Sequence, residues 1–331
     1  MNNGNIEYTQ LGDSSISVSK VCLGTWAIGG WLWGGTDEKA SIATIHAALD
    51  KGVTLIDTAP VYGFGRSEEI VGRALKAYGR RDNVCLATKA GLEWKNGKIS
   101  RNSDPAKIAF EVEDSLRRLQ TDVIDIYFIH WPDPKMPFEE TARLMQSLKD
   151  QGKVRAIGVS NFDPEQMTTF QKVVDIQVCQ PPYNMFERQI EDALVPYCKS
   201  HDIALMTYGA LCRGLLSGKM MPHREFEGDD LRKIDPKFQA PRFGQYLKAA
   251  ARIEQLAKDH YDRPLLPVAI RWVLDMGIDI AIWGGRRPEQ MAPLDDIDGW
   301  HISDSFKYAL EELLQETVID PVGPDFMAPP A

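Results

Sequence analysis

The chain has 331 residues, 44% hydrophobic and 26% charged, with 38 basic side chains against 47 acidic ones. Those fractions belong to a globular protein with room for a large core. The net charge of −9 argues against nucleic acid as a general partner, and no apolar run approaches the ~18 residues of a membrane span.

Short apolar runs alternate along the chain with longer amphipathic ones. Residues 7–11 and 16–19 flank the turn-like Gly12-Asp13-Ser14 and predict a β-hairpin. A buried strand follows at 20–24, then a helix at 36–51 with Ile42, Ile45, Ala48 and Leu49 on one face, closed by Gly52. The second strand is predicted at 53–56. Its helix, 67–75, carries Glu68 and Glu69 in the first turn, where the helix dipole favours acids. Further strands are predicted at 84–88, 123–129, 154–159, 176–179, 203–207 and 278–283. Helices are predicted at 104–119, 138–150, 164–173, 190–201, 243–260, 267–276 and 288–297. Residues 209–242 form an insertion far longer than an ordinary loop, and 319–331 read as a Pro-rich tail with some order.

Eight strands alternate with helices, and runs such as VIDIYFI are apolar on both faces, as in a parallel sheet covered by helices. The expected fold is therefore an α/β TIM (β/α)8 barrel, preceded by the hairpin and forming one domain over 1–331. The five cysteines, Cys22, Cys85, Cys179, Cys198 and Cys212, are unpatterned, and residues 1–12 lack the charge and apolar core of a leader. Both features lead us to expect a cytoplasmic protein in a reducing compartment, monomeric or a small homo-oligomer.

In such a barrel chemistry sits where strands end. The strand ends supply Asp57 and, in the loop beyond it, Tyr62, then Lys89, His130, Ser160 with Asn161, Gln180, and Tyr208. Each alone has a plain structural reading as a cap, turn former or surface group. Together an acid, a lysine, a tyrosine and a histidine suit one task. A phenol ordinarily titrates near ~10, and a neighbouring ammonium lowers that value. The aspartate holds the ammonium, and the histidine orients a carbonyl. The hydride for such a reduction needs a nicotinamide cofactor. No GxGxxG follows a strand, and Gly214–Lys219 has the wrong spacing for a P-loop, so the cofactor phosphates need another site. The loop at Arg213 and the turn Gly284-Gly285-Arg286-Arg287, which opens the helix at Pro288, are the candidates. The large aromatics Trp26, Trp31, Trp33, Trp94 and Trp131 gather at the same rim. No metal site is expected.

The motifs resemble the aldo-keto reductases over nearly the whole chain. They are Gly24-Thr25-Trp26, LIDTA at 55–59 with Tyr62-Gly63 and Ser67-Glu68, and Ala87-Thr88-Lys89. DIYFIH at 125–130, GVSNF at 158–162, Gln180 with Tyr183-Asn184, and RGLLSGK at 213–219 follow in family order. YGALCR at 208–213, Trp283-Gly284 and the 320–329 segment are similar to bacterial general-stress-type members. The resemblance implies NADPH-dependent reduction of aldehydes or ketones, with Asp57, Tyr62, Lys89 and His130 as the catalytic tetrad and Tyr62 as general acid. It implies a cofactor against Gly24, Thr25 and Trp26, its carboxamide held by Ser160, Asn161 and Gln180. Tyr208 would stack on the nicotinamide. Gly209, Ala210, Leu211, Cys212, Arg213 and Lys219 would line the pyrophosphate, and Gly284, Gly285, Arg286 and Gln290 the 2′-phosphate end. Trp26, Trp94 and Trp131 would meet a small carbonyl substrate. Many relatives carry Glu-Asn where this chain has Pro293-Leu294, a departure at the adenine end. Two other readings remain. One is a redox sensor or regulatory subunit that binds cofactor with little turnover; the other is a barrel isomerase or lyase.

Overall fold

A computed structural model describes residues 6–331; residues 1–5, part of the stretch read above for a leader, lie outside the described residues. Eight parallel strands close into a barrel. They are β1 (Val21–Gly24), β2 (Leu55–Asp57), β3 (Cys85–Ala90), β4 (Ile124–Ile129), β5 (Val154–Ser160), β6 (Val178–Gln180), β7 (Ala204–Thr207) and β8 (Ile280–Gly284). Each strand pairs with its neighbours in sequence, and β8 returns to β1, so the TIM architecture is as expected. The register sets Asp57 beside Gly24 and Ala87, Ser160 beside Gln180, and Gly284 beside Gly24. The polar strand ends therefore share one rim.

Helices α1 (Glu38–Asp50), α2 (Arg66–Tyr78), α3 (Pro105–Leu119), α4 (Phe138–Asp150), α5 (Pro164–Gln171), α6 (Leu194–Ser200), α7 (Arg242–Tyr261) and α8 (Leu265–Asp275) surround the strands. Their starts follow local chemistry. Asp37, Asp104 and Asp163 each accept a hydrogen bond from a first-turn amide of α1, α3 and α5. No described helix is long and apolar enough to cross a membrane.

The barrel interior is filled by Leu55, Ile126, Phe128, Val178, Met206 and Ile280 among others. Leu11, Ile16 and Val18 of the N-terminal hairpin, which pairs Tyr8–Gln10 with Ser17–Ser19, belong to the same cluster and pack into that interior. Phe128 fits because Gly158 has no side chain: a Cβ there would lie 2.3 Å from the Phe128 ring.

The structure departs from expectation at three places, and the tail, expected to have some order, is held firmly. A second hairpin, Leu92–Lys95 with Lys98–Arg101, follows β3; its tip, Asn96-Gly97, has two positive φ angles, the turn chemistry a tight hairpin needs. The 288–297 segment is a 3-10 stretch, Pro288–Asp296, in which Pro293 removes a backbone donor. A further helix, α9 (Asp304–Thr317), capped by the Ser303 hydroxyl, was not foreseen. The tail is tied along its length. Arg242 pairs with Asp320, and the Val322 amide donates to Tyr246 Oη at 3.2 Å. Arg101 donates its amide to the Pro330 carbonyl and its Nε to that of Pro329.

Candidate active site

Asp57 ends β2, Lys89 lies near the end of β3, and His130 follows β4, so three adjacent strands deliver three of the four expected groups. Lys89 Nζ is fully buried. It donates to Asp57 Oδ1 and Oδ2 at 2.8 and 2.7 Å, to the Thr58 carbonyl at 2.9 Å and to Tyr62 Oη at 3.3 Å. The fourth group, Tyr62, comes from the loop after β2. Two glycines set its place: a Cβ on Gly29 would meet the Tyr62 carbonyl at 2.5 Å, and one on Gly63 would meet the Gly29 carbonyl at 2.2 Å. The Tyr62 ring stacks on Trp26, 5.9 Å between centroids, and meets His130 edge-on at 5.8 Å.

Behind these groups lies a buried polar scaffold that the sequence reading missed. The Ser67 hydroxyl donates to Thr25, and Thr58 donates to Ser67, which ties α2 to the ends of β1 and β2. Glu68 is wholly buried; it accepts from Thr88 Oγ1 and Arg118 Nε, both at 2.6 Å, and so fixes the residue before Lys89. Glu68 had been read as a helix-dipole acid. The signal for its second role was its place beside Ser67, but Arg118 lies 50 residues away and is not visible from the helix alone.

Electrostatics differ from expectation at the phenol. Burial pushes Tyr62 well above its ordinary value, and the Asp57 charge adds to the rise. The ammonium does not reverse this, because its charge is matched by the bidentate carboxylate. Tyr62 thus keeps its proton at neutral pH. Burial, then the Lys89 charge, hold His130 well below the usual imidazole range, so its ring is neutral and retains one N–H donor.

A cleft of about 680 Å³ opens on these groups, a size common for small-molecule sites. Its walls include Gly24, Thr25, Trp26, Asp57, Ser160, Asn161, Gln180, Tyr208, Gly209, Ala210, Leu211, Arg213, Lys219, Gly284, Gly285, Arg286 and Gln290. Gln180 Nε2 donates to Asp57 Oδ1 at 2.9 Å, and Tyr208 Oη donates to Asn161 Oδ1 at 2.8 Å. The buried indole N–H groups of Trp26 and Trp33, two lining residues, have no partner among the described residues. Trp131, Trp31, Leu92, Ile99, Phe326, Met327, Pro329 and Pro330 make the wall apolar near the phenol and the tail.

Some expected residues play other parts. Cys212 is buried and does not line the cleft. Trp94 also stands outside it, because the unforeseen hairpin carries it against Phe64, 5.6 Å between ring centroids. The Arg213 guanidinium is not free for a phosphate. It is buried in ion pairs with Glu187, at 2.5 Å, and Asp235, while Glu187 also pairs with the buried Lys237 at 2.7 Å. Gln290 occupies the amides of Arg286 and Arg287 through its Oε1, at 2.8 and 3.0 Å, so the turn does not open an anion-binding helix. Among the described residues no cluster of His, Cys, Asp and Glu could hold a metal.

The comparisons with known proteins agree. Residues 20–296 match the aldo/keto reductase family model. Aldo-keto reductase YhdN of Bacillus subtilis (strain 168) is 56% identical over 326 residues, 98% of each chain. The NADH-specific methylglyoxal reductase of Escherichia coli (strain K12) is 34% identical over 297 residues, 85% of this chain and 90% of its own length. The solved glycerol dehydrogenase AKR11B4 from Gluconobacter oxydans matches with a TM-score of 0.87 and 50% identity, over 99% of this chain and all of that one.

Proposed function

The chain belongs to the aldo/keto reductase family of carbonyl-reducing oxidoreductases, and on that premise we propose that it uses NADPH, with Tyr62 as the proton donor. The whole of 1–331 acts as one barrel domain in this reading. The observation that carries it is the 3.3 Å contact of Lys89 Nζ with Tyr62 Oη at the wall of the cleft.

The site suits a nicotinamide cofactor. Amide and hydroxyl groups of Ser160, Asn161 and Gln180 line the cleft beside Tyr208, and glycines line it along Gly209, Gly214, Gly284 and Gly285. They would hold, in turn, the carboxamide end and the phosphate-bearing end. The cofactor's contribution is a hydride for the carbonyl carbon.

The chain's own residues handle the proton. The neutral His130 N–H donates to the carbonyl oxygen and fixes its place beside Tyr62 Oη. Tyr62, protonated because it is buried, gives its proton to that oxygen as the carbon is reduced. The O–H bond of the phenol breaks, the alcohol O–H forms, and the phenolate left behind sits against the Lys89 ammonium. Asp57 keeps the ammonium charged and aimed. Apolar walls around Trp26 and Trp131 favour small or aromatic aldehydes.

The preference for NADPH rests on Arg286, whose guanidinium suits a phosphate. Since a relative at 34% identity is NADH-specific, this preference needs its own test. Arg286→Ala is expected to weaken NADPH by about tenfold and leave NADH unchanged; equal affinities in wild type and variant would remove it. The reading as a whole is tested by NADPH oxidation, followed at 340 nm against aldehydes, ketones and dicarbonyls. Turnover of aldehydes is expected. Tight NADPH binding with no turnover of any compound would favour the sensor reading instead.

A further inference from the structure

The three residues after Tyr62 all hold left-handed backbone: Gly63, Phe64 and Gly65 have φ angles of 69°, 57° and 98°. Glycine takes such angles freely, whereas a bulky side chain there is strained. The run is closed by hydrogen bonds. The Gly65 amide donates to the Pro60 carbonyl at 2.6 Å, the Phe64 amide to that of Val61 at 3.3 Å and the Ser67 amide to that of Tyr62 at 3.1 Å. It forms a clip that turns the chain from Tyr62 straight into α2. A glycine in the middle would serve the clip without strain, so the phenylalanine needs a separate reason.

Burial does not supply one, since Phe64 is 40% exposed. Its ring instead meets two tryptophans, 5.4 Å from the Trp31 centroid and 5.6 Å from that of Trp94. These are the distances of attractive aromatic pairs. The three rings come from three loops. Trp31 follows β1, Phe64 follows β2, and Trp94 stands on the hairpin after β3. Of the three, Trp31 lines the cleft and the other two stand outside it.

Both ends of this bracket rest on ordered structure. On the first side, the Leu32 amide next to Trp31 donates to Asp229 Oδ2 at 2.8 Å. On the other, Trp94 lies opposite Ile99 in the hairpin register, and Ile99 is itself a cleft residue. The same hairpin ends at Arg101, which binds the carbonyls of Pro132 and Pro329, both at 2.9 Å. An indole at a cleft wall swings aside only when its neighbours give way, and here they are tied.

We propose that Phe64 is a specificity-determining residue: held left-handed by its clip and braced by Trp94, it keeps Trp31 at the cleft wall and limits the width of aldehyde that reaches Tyr62. The inference rests on the carbonyl-reduction reading above and adds a size limit to it. It also gives Trp94 a part in substrate selection from outside the cleft, through Phe64.

The test is steady-state reduction of propanal, benzaldehyde and 2-naphthaldehyde, with NADPH and NADH each supplied, by wild type, Phe64→Gly, Phe64→Tyr and Trp94→Leu. Phe64→Gly suits the backbone and removes the ring. It is expected to raise kcat/KM for 2-naphthaldehyde about tenfold relative to propanal, and to leave kcat for propanal within about twofold of wild type. Phe64→Tyr keeps the ring and should keep the wild-type size profile. Trp94→Leu should move the profile in the same direction as Phe64→Gly by a smaller factor. It leaves the clip intact, so it tests the brace even where Phe64→Gly does not fold. Size profiles unchanged in Phe64→Gly or, failing that variant, in Trp94→Leu would overturn the proposal. So would an equal loss for all three aldehydes in Phe64→Gly, since the residue would then support Tyr62 without selecting by width. Wild type that turns over none of the three with either cofactor would instead overturn the reduction reading beneath it.

Discussion

Lys89 and Arg213 are both cations buried at the rim of one barrel, and their surroundings differ in a single respect. Around Lys89 one carboxylate, one carbonyl and one hydroxyl share the ammonium, and the hydroxyl, Tyr62 Oη, is the most distant partner at 3.3 Å. Tyr62 also lines the cleft. Around Arg213, two cations and two carboxylates match: Glu187 and Asp235 against Arg213 and Lys237. The remaining capacity is filled by Asn184, which donates to Glu187 at 2.7 Å, and by the Gly323 carbonyl, which accepts from Lys237 at 3.1 Å. Buried charge is thus a feature of both regions, and chemistry belongs to the one that leaves a loosely held, protonated group beside a cleft. The saturated cluster holds the segment after β6, the insertion after β7 and the tail together.

That contrast can be broken at each cluster. The largest effect is expected from Lys89→Met. It should lower turnover by a factor on the order of 10² to 10⁴, the usual scale for losing acid–base assistance. It should also cost about 3–5 kcal/mol of stability by stranding the Asp57 carboxylate. Steady-state kinetics and urea unfolding measure the two losses; a variant with near-normal turnover would erase the distinction. Arg213→Met should cost stability of the same order by stranding Glu187 and Asp235, yet leave kcat of the folded fraction within a few-fold. A collapse of kcat in fully folded Arg213→Met protein would move that cluster into the chemistry.

A smaller effect sharpens the electrostatic side. The folded pKa of Tyr62 is raised above its unfolded value of ~10, so below pH ~10 both states hold the proton and nothing is lost. Above that, the unfolded chain sheds the proton first and stability falls. The melting temperature of wild type should therefore drop more steeply between pH 10 and 11 than that of Tyr62→Phe. Parallel curves would mean that burial does not hold the phenol's proton. The smallest effect is expected at the tail. Arg101→Ala removes two hydrogen bonds to carbonyls and a contact with the Trp131 ring at 5.2 Å. It should change KM for bulky aldehydes several-fold and stability by about 1 kcal/mol or less. A KM unchanged across aldehyde sizes would detach the tail from the substrate wall.

The split between what the sequence revealed and what it hid follows the range of the interactions. The barrel was readable because each strand is a local apolar run and each helix a local period. Asp57, Lys89 and His130 were readable because strand ends are local too, and the barrel then brings them together without further instruction. The second role of Glu68 and the ion pairs of Arg213 were not legible because the partners lie tens of residues away: Arg118 for the first, Glu187 and Asp235 for the second. Trp94 was misplaced for a different reason. The Asn96-Gly97 turn was legible as a hairpin signal but was passed over, and with it the strand that turns Trp94 toward Phe64.

Rapid mixing of NADPH-loaded protein with an excess of a reactive aromatic aldehyde, read as single-turnover decay at 340 nm, tests the central claim most directly when wild type is compared with Tyr62→Phe. The two proteins should bind NADPH equally, and the decay should slow by about 10² or more in the variant. Equal binding with decay rates within a few-fold of each other would show that the proton comes from somewhere other than Tyr62.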